Sequence, residues 1–160
     1  MVRRPVEQYG GAGRRLERRE RRQPFAERGS AARERKAARG VSRILVVDDE
    51  PVVRELTVEI LRRSGYKPHG VQSAKHALEL LDEEAFDLVV SDVVMPEMTG
   101  VEFLYELRVR RPELPVVLMT GGSKEPERTT KAVELGASGL LYKPFSHAEL
   151  KAVVKAALEP

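Results

Sequence analysis

Five short runs of β-favouring residues alternate with five segments whose apolar residues recur at helical spacing, and this alternation restricts the possible folds more than any other feature. The runs are Arg43 to Val47, Lys67 to Val71, Leu88 to Asp92, Val116 to Met119 and Gly139 to Tyr142. A helix is predicted after Glu50-Pro51, with Pro in its first turn, Val52, Val53, Leu56, Ile60 and Leu61 facing the core, and a stop at Ser64-Gly65. The second helix takes Ser73 as its N-cap and presents Ala74, Ala77, Leu78 and Leu81. The third runs from about Gly100 to Arg110 with Val101, Leu104 and Leu107 inward. The fourth spans Pro126 to Leu135 and is closed by Gly136; the last follows Ser146 and carries Leu150, Val153, Val154 and Leu158. Strand then helix, repeated through connections of a few residues, specifies an α/β fold: a parallel sheet covered on both faces and wound by right-handed crossovers.

Charge divides the chain. Residues 1–42 carry 13 Lys+Arg against 5 Asp+Glu, leaving 15 against 20 for the remainder, so the net +3 conceals two opposite halves. With Leu16 and Phe25 as its main large apolar groups, the Arg-rich segment cannot offset its ordering entropy by burial, and residues 1–41 are expected to be a disordered or loosely helical extension. Such an arm can be drawn to phosphates or to an acidic partner; a plain charged tail and a start assigned too far upstream are the competing readings, and no specific nucleic-acid binding is expected. The folded domain is expected over residues 42–160. Without cysteine there is no disulfide framework, thiolate metal site or thiol catalysis. No window reaches the apolar length of a membrane span and no secretory signal is present, which reads as a cytoplasmic protein.

In a parallel sheet the carboxyl ends of all strands share one edge, which is where such sheets place their chemistry. Asp48-Asp49, Asp92, Thr120 and Lys143 all stand at those ends. Carboxylates gathered together repel one another unless a cation intervenes. Oxygen ligands without histidine or cysteine suit a hard ion, Mg2+ in particular, which favours a few carboxylates together with water and a phosphoryl oxygen. A carboxylate screened in this way can act as a nucleophile toward a phosphoryl group, with Lys143 supplying positive charge and Thr120 a hydroxyl donor.

Taken together, Asp48-Asp49 after the first strand, Asp92 followed by Met95-Pro96 and Gly100, Thr120-Gly121, and Lys143-Pro144-Phe145 closely resemble the receiver domain of two-component response regulators, over about residues 42 to 160. The resemblance implies a flavodoxin-like five-stranded sheet in the order 2-1-3-4-5 with five helices, of the stand-alone, chemotaxis-regulator-like type. It implies that Asp92 accepts a phosphoryl group from a histidine kinase or a histidine phosphotransfer protein. Asp49, Asp92 and the main-chain carbonyl of Val94 would ligate Mg2+, with Asp48 acting through metal-bound water. Lys143 would pair with Asp92 or its phosphoryl group, and the Lys143-Pro144 bond would be cis. Thr120 would move toward the phosphoryl oxygens and shift a surface of helix four, strand five and helix five that an unknown downstream protein reads, the chain itself being a monomer or weak homodimer. The chain departs from the family at the aromatic switch position, where Leu140 stands and Tyr142 is the nearest aromatic residue. Val94 and Gly122 occupy the two positions that tune phosphoryl lifetime in the family.

Two other classes compete. A haloacid-dehalogenase-like phosphohydrolase also uses a nucleophilic Asp, Mg2+ and Lys, but calls for a second acid two residues after the nucleophile, where Val94 stands. A phosphorylation-independent pseudo-receiver, or a regulator working through its basic arm, is the other. Gly121-Gly122 precedes no Gly-Lys-Ser/Thr and reads as a tight turn, and His69, His76 and His147 form no ligand pair at helical spacing.

Overall fold

Alternation along each strand sends neighbouring side chains to opposite faces of the sheet, and the two hydrophobic cores follow from it. In the computed structural model, which describes residues 40–121 and 126–159 together with Glu34, the strands are β1 (Arg43–Val47), β2 (Lys67–Val71), β3 (Leu88–Asp92), β4 (Val116–Thr120) and β5 (Gly139–Tyr142). All neighbours pair in parallel, in the order β2-β1-β3-β4-β5. The helices are α1 (Pro51–Arg63), α2 (Ala74–Glu83), α3 (Gly100–Arg110), α4 (Pro126–Glu134) and α5 (His147–Leu158). Leu45, Val47 and Val89 pack with Ala77, Leu81, Phe103, Leu104 and Ala132 on the side of α2, α3 and α4. Ile44, Val46 and Val90 pack with Ile60, Leu61, Leu150 and Val154 on the side of α1 and α5. β1, β3 and β4 lie inside the sheet and read as continuous apolar runs because both faces are covered. β2 and β5 form its edges.

Several helix boundaries follow from local chemistry. Ser73 accepts the His76 amide at 3.2 Å, capping α2. Thr99 with Glu102, and Ser146 with Glu149, form reciprocal capping boxes at the starts of α3 and α5. Four expectations are corrected. In α1, Val52 and Leu56 are 77% and 50% exposed, and the buried stripe is Thr57, Ile60 and Leu61, with the Thr57 hydroxyl donating to the Val53 carbonyl at 2.8 Å. In α3 the fully buried residues include Phe103, which the helical pattern did not single out, whereas Val101 is only partly buried. β4 runs one residue further than predicted, to Thr120, and α4 ends one residue earlier, at Glu134.

Arginines at the end of α3 bind the ends of its neighbours. Arg111 donates to the Leu81 carbonyl at the end of α2 and stands 3.5 Å from Asp82. Arg108 reaches the other way, to carbonyls at the end of α4. Cations at helix C-termini answer both the unsatisfied carbonyls and the negative end of the helix dipole.

The start of α3 fits directly under the end of β3. A Cβ on Gly100 would lie 2.1 Å from the Asp92 carbonyl oxygen and 2.9 Å from the Val93 Cα, and the Gly100 amide donates to the Val93 carbonyl at 2.8 Å. These are main-chain atoms of Asp92 and Val93, so no flexible side chain is there to yield. Gly100→Ala is therefore expected to cost roughly 1–3 kcal/mol, the range for overpacked sites, in urea-induced unfolding. An unchanged midpoint would show that the loop gives way freely.

Candidate functional site

Four of the five strands deliver a polar group to the carboxyl edge of the sheet. Asp48 directly follows β1, Asp92 closes β3, Thr120 closes β4, and Lys143 follows β5. The register aligns them, since Asp92 sits opposite Met119 and Thr120 opposite Tyr142. Asp48 and Thr120 are almost completely buried and Asp92 is 5% exposed.

Asp48, Asp49 and Asp92 offer carboxylate oxygens that all lie within 4.8 Å of one another, with Asp49 the most exposed of the three. The Lys143 ammonium stands 3.3 Å from Asp92 Oδ1 and 3.5 Å from Asp48 Oδ2. Asp48 Oδ1 accepts the Glu50 amide at 2.9 Å, and the Asp48 main-chain carbonyl accepts from Arg54 at 2.8 Å. The Val94 amide donates to the Asp92 carboxylate. The Lys143 amide donates to the Thr120 carbonyl at 2.8 Å, joining β5's exit to β4's end, and the Lys143-Pro144 peptide is cis.

Burial dominates the electrostatics. It raises the Asp92 pKa to about 6; Lys143 opposes the shift and the Asp48 charge adds to it. Burial also raises the Asp48 pKa, against the Glu50 amide and Lys143. Lys143 loses solvation too, but Asp92 and Asp48 outweigh that loss and hold its pKa above the usual lysine value. One ammonium thus leaves a three-carboxylate cluster under-neutralised. An oxygen-only donor set with surplus negative charge fits a hard divalent cation such as Mg2+.

Asp48, Asp49, Asp92 and Lys143 therefore come together, with Thr120 at the adjoining strand end. Leu140 packs against the core on the α2–α4 side, whereas Tyr142 is 53% exposed and leaves that position to the leucine. Val94 is exposed beside Asp92, and Gly122 falls outside the described residues, as does the Arg-rich segment apart from Glu34, Gly40 and Val41. Sequence reasoning passed over Arg54, which holds the Asp48 carbonyl, and Arg108; an arginine in a helix carries no pattern that separates a buried guanidinium from a solvated one. Among the described residues no helix is long and apolar enough to cross a membrane.

Asp92 takes up a proton more readily in the folded chain than in the unfolded one, where its pKa returns to about 3.8. The folded state therefore holds an extra proton between about pH 4 and 6, and the metal-free chain loses stability as pH rises through that window. With a chelator present, Asp92→Asn is expected to be more stable than the wild type at pH 7.5 by on the order of 2 kcal/mol in urea unfolding. The gap should close below about pH 4, and a pH-independent gap would contradict the burial argument.

Three comparisons with known proteins bear on this geometry. Residues 44–155 match the family model described as the response regulator receiver domain. The chain is 36% identical over 119 residues to the regulatory protein AtoC of Escherichia coli (strain K12), an alignment covering 74% of this chain and 26% of AtoC, so it spans about a quarter of that relative's length. The Vibrio cholerae chemotaxis protein CheY4 superposes with a TM-score of 0.69 at 30% identity, over 74% of this chain and 99% of CheY4. TrrA from Thermotoga maritima, solved in complex with Mg(2+)-BeF, gives 0.67 at 34% identity, over 74% of this chain and 100% of TrrA. With its 2-1-3-4-5 parallel sheet and this match across residues 44–155, the chain belongs to the response regulator receiver domain family.

Proposed function

We propose that this chain is a phosphoacceptor signalling module in which Asp92 receives a phosphoryl group from a phosphohistidine on a histidine kinase or a histidine phosphotransfer protein. The observation that carries the reading is the Lys143 ammonium, 3.3 Å from Asp92 and 3.5 Å from Asp48, at the strand edge where Asp49 also contributes a carboxylate. An Asp92 carboxylate oxygen attacks phosphorus, the P–N bond to the donor imidazole breaks with its electron pair left on the ring nitrogen, and an acyl phosphate remains on Asp92. The Val94 amide orients the attacking carboxylate, and Lys143 meets the negative charge spread over the phosphoryl oxygens.

Asp49, Asp92 and the Val94 main-chain carbonyl would hold Mg2+, with Asp48 reaching it through water. When bound, the ion neutralises the charge of carboxylates and phosphoryl group together. The Mg(2+)-BeF complex of TrrA supports this assignment. Thr120 supplies the hydroxyl that senses the phosphoryl group, and the change passes to the surface formed by α4, β5 and α5, through aliphatic repacking around Leu140 with Tyr142 at its rim. Residues 42–160 act as a stand-alone cytoplasmic receiver, a monomer or weak homodimer, and the Arg-rich residues 1–41 are an extension to it. The chain is not a conventional enzyme, its chemistry being limited to its own phosphorylation and dephosphorylation.

Intact mass after incubation with Mg2+ and acetyl phosphate tests the reading. The wild type is expected to gain one phosphoryl group and Asp92→Asn none. Lys143→Met should slow the gain by roughly 100-fold, the scale on which loss of one preorganised charge-stabilising group is felt. A wild type that gains nothing while still binding Mg2+ would sink the phosphoacceptor reading.

A further inference from the structure

The main chain of Asp48 is held on both sides. Its amide donates to the Val71 carbonyl at the end of β2 at 3.1 Å, and its carbonyl accepts from a terminal nitrogen of Arg54 at 2.8 Å. That carbonyl belongs to the peptide leading into Asp49, so the guanidinium fixes the plane from which the Asp49 side chain departs. The Arg54 amide donates in turn to the Glu50 carbonyl at 3.0 Å, so one residue grips the acidic segment at Asp48 and at Glu50. Arg54 is the fourth residue of α1, near the positive end of the helix dipole, where a cation is disfavoured. Its reach depends on β2. Gly70 pairs with Val46, and a Cβ there would lie 3.2 Å from Arg54 Cγ, 3.3 Å from Arg54 Cδ and 3.2 Å from Val58 Cγ2. The half-buried arginine stem thus lies along the space that a side chain at position 70 would need. Gly70 stands within an edge strand and has no positive φ, which leaves this close approach as the reason for glycine.

We propose that Arg54 is a positioning residue for the carboxylate cluster and that Gly70 sets its reach: the arginine, seated on a stretch of β2 that carries no side chain, braces the Asp48-Asp49 peptide and so holds the two carboxylates at the spacing a divalent cation needs. The inference rests on the reading above in which Asp49 ligates Mg2+ and Asp48 reaches it through water. Arg54 bonds to main chain and adds no ligand of its own. It removes freedom that Asp49, placed in a bend after β1, would otherwise lose only when the ion arrives, and a preorganised site binds more tightly for that reason. A glycine on an edge strand, 22 residues from Asp48, thereby takes part in setting metal affinity.

Mg2+ titrations of the full chain, followed by amide shifts in NMR spectra, test the brace. Arg54→Met, which keeps most of the stem and removes the guanidinium, is expected to weaken Mg2+ binding on the order of 10-fold, the scale for residues that orient metal ligands from outside. Gly70→Val should weaken it in the same direction by displacing the stem. In the Arg54→Met background the same valine should change the affinity by less than about two-fold, because the brace is already gone. Arg54→Leu and Gly70→Ala serve where the first variants fold poorly. An Arg54→Met affinity equal to the wild type would overturn the assignment. A tighter one would overturn it too, since that is what removing a bare positive charge beside carboxylates gives. Fully additive losses in the double variant would separate Gly70 from Arg54 and overturn the proposed seat. A wild type that binds no Mg2+ overturns the metal reading and this inference together, whereas a wild type that binds it beside indifferent variants overturns this inference alone.

Discussion

A shared cation makes the carboxyl edge of this sheet possible. Asp48 and Asp92 are buried where like charges would repel, and Lys143 stands within 3.5 Å of both. The lysine is brought there by β5, an edge strand of four residues, and by the hydrogen bond from its own amide to the Thr120 carbonyl. The arrangement remains costly: burial still lifts the Asp92 pKa to about 6, so the folded chain keeps an electrostatic tension that a divalent cation would relieve. Stability is given up where chemistry is concentrated.

The second organising element is α3, tied to its surroundings at both ends. Gly100 lets its first turn lie against the Asp92 carbonyl, and Arg108 and Arg111 cap the helices on either side of its last turn. Its N-terminal end therefore registers the backbone of β3, and its C-terminal end registers the positions of α2 and α4.

The strands and the polar groups at their ends were legible because a parallel sheet gathers all carboxyl termini on one edge, whatever their separation in the chain. Asp48 and Lys143 are 95 residues apart and meet for that reason. The strand order was a different matter: periodicity specifies strands and helices but not which strands are neighbours, and the order came from the family resemblance. The inward face of α1 was misread because Thr57 buries its methyl group and satisfies its hydroxyl within the helix, so a polar letter marks a core position while Val52 and Leu56 face outward. Arg108 was illegible for a related reason. Its partners are main-chain carbonyls, which leave no trace in side-chain pattern. Leu140 and Leu141 fall into opposite cores, as strand alternation requires, but only the packing shows Leu140 inside and Tyr142 exposed.

Pro68 in β2 lies opposite Ile44 on one margin of the sheet. The Lys67 amide turns inward to the Ser42 carbonyl, so alternation turns the next residue's nitrogen outward, where proline has no hydrogen to offer. The sheet loses no internal bond, yet the margin lacks a donor at the second residue of a five-residue strand. A foreign strand could not zip along it continuously, which leaves this side of the molecule protected against edge-to-edge aggregation.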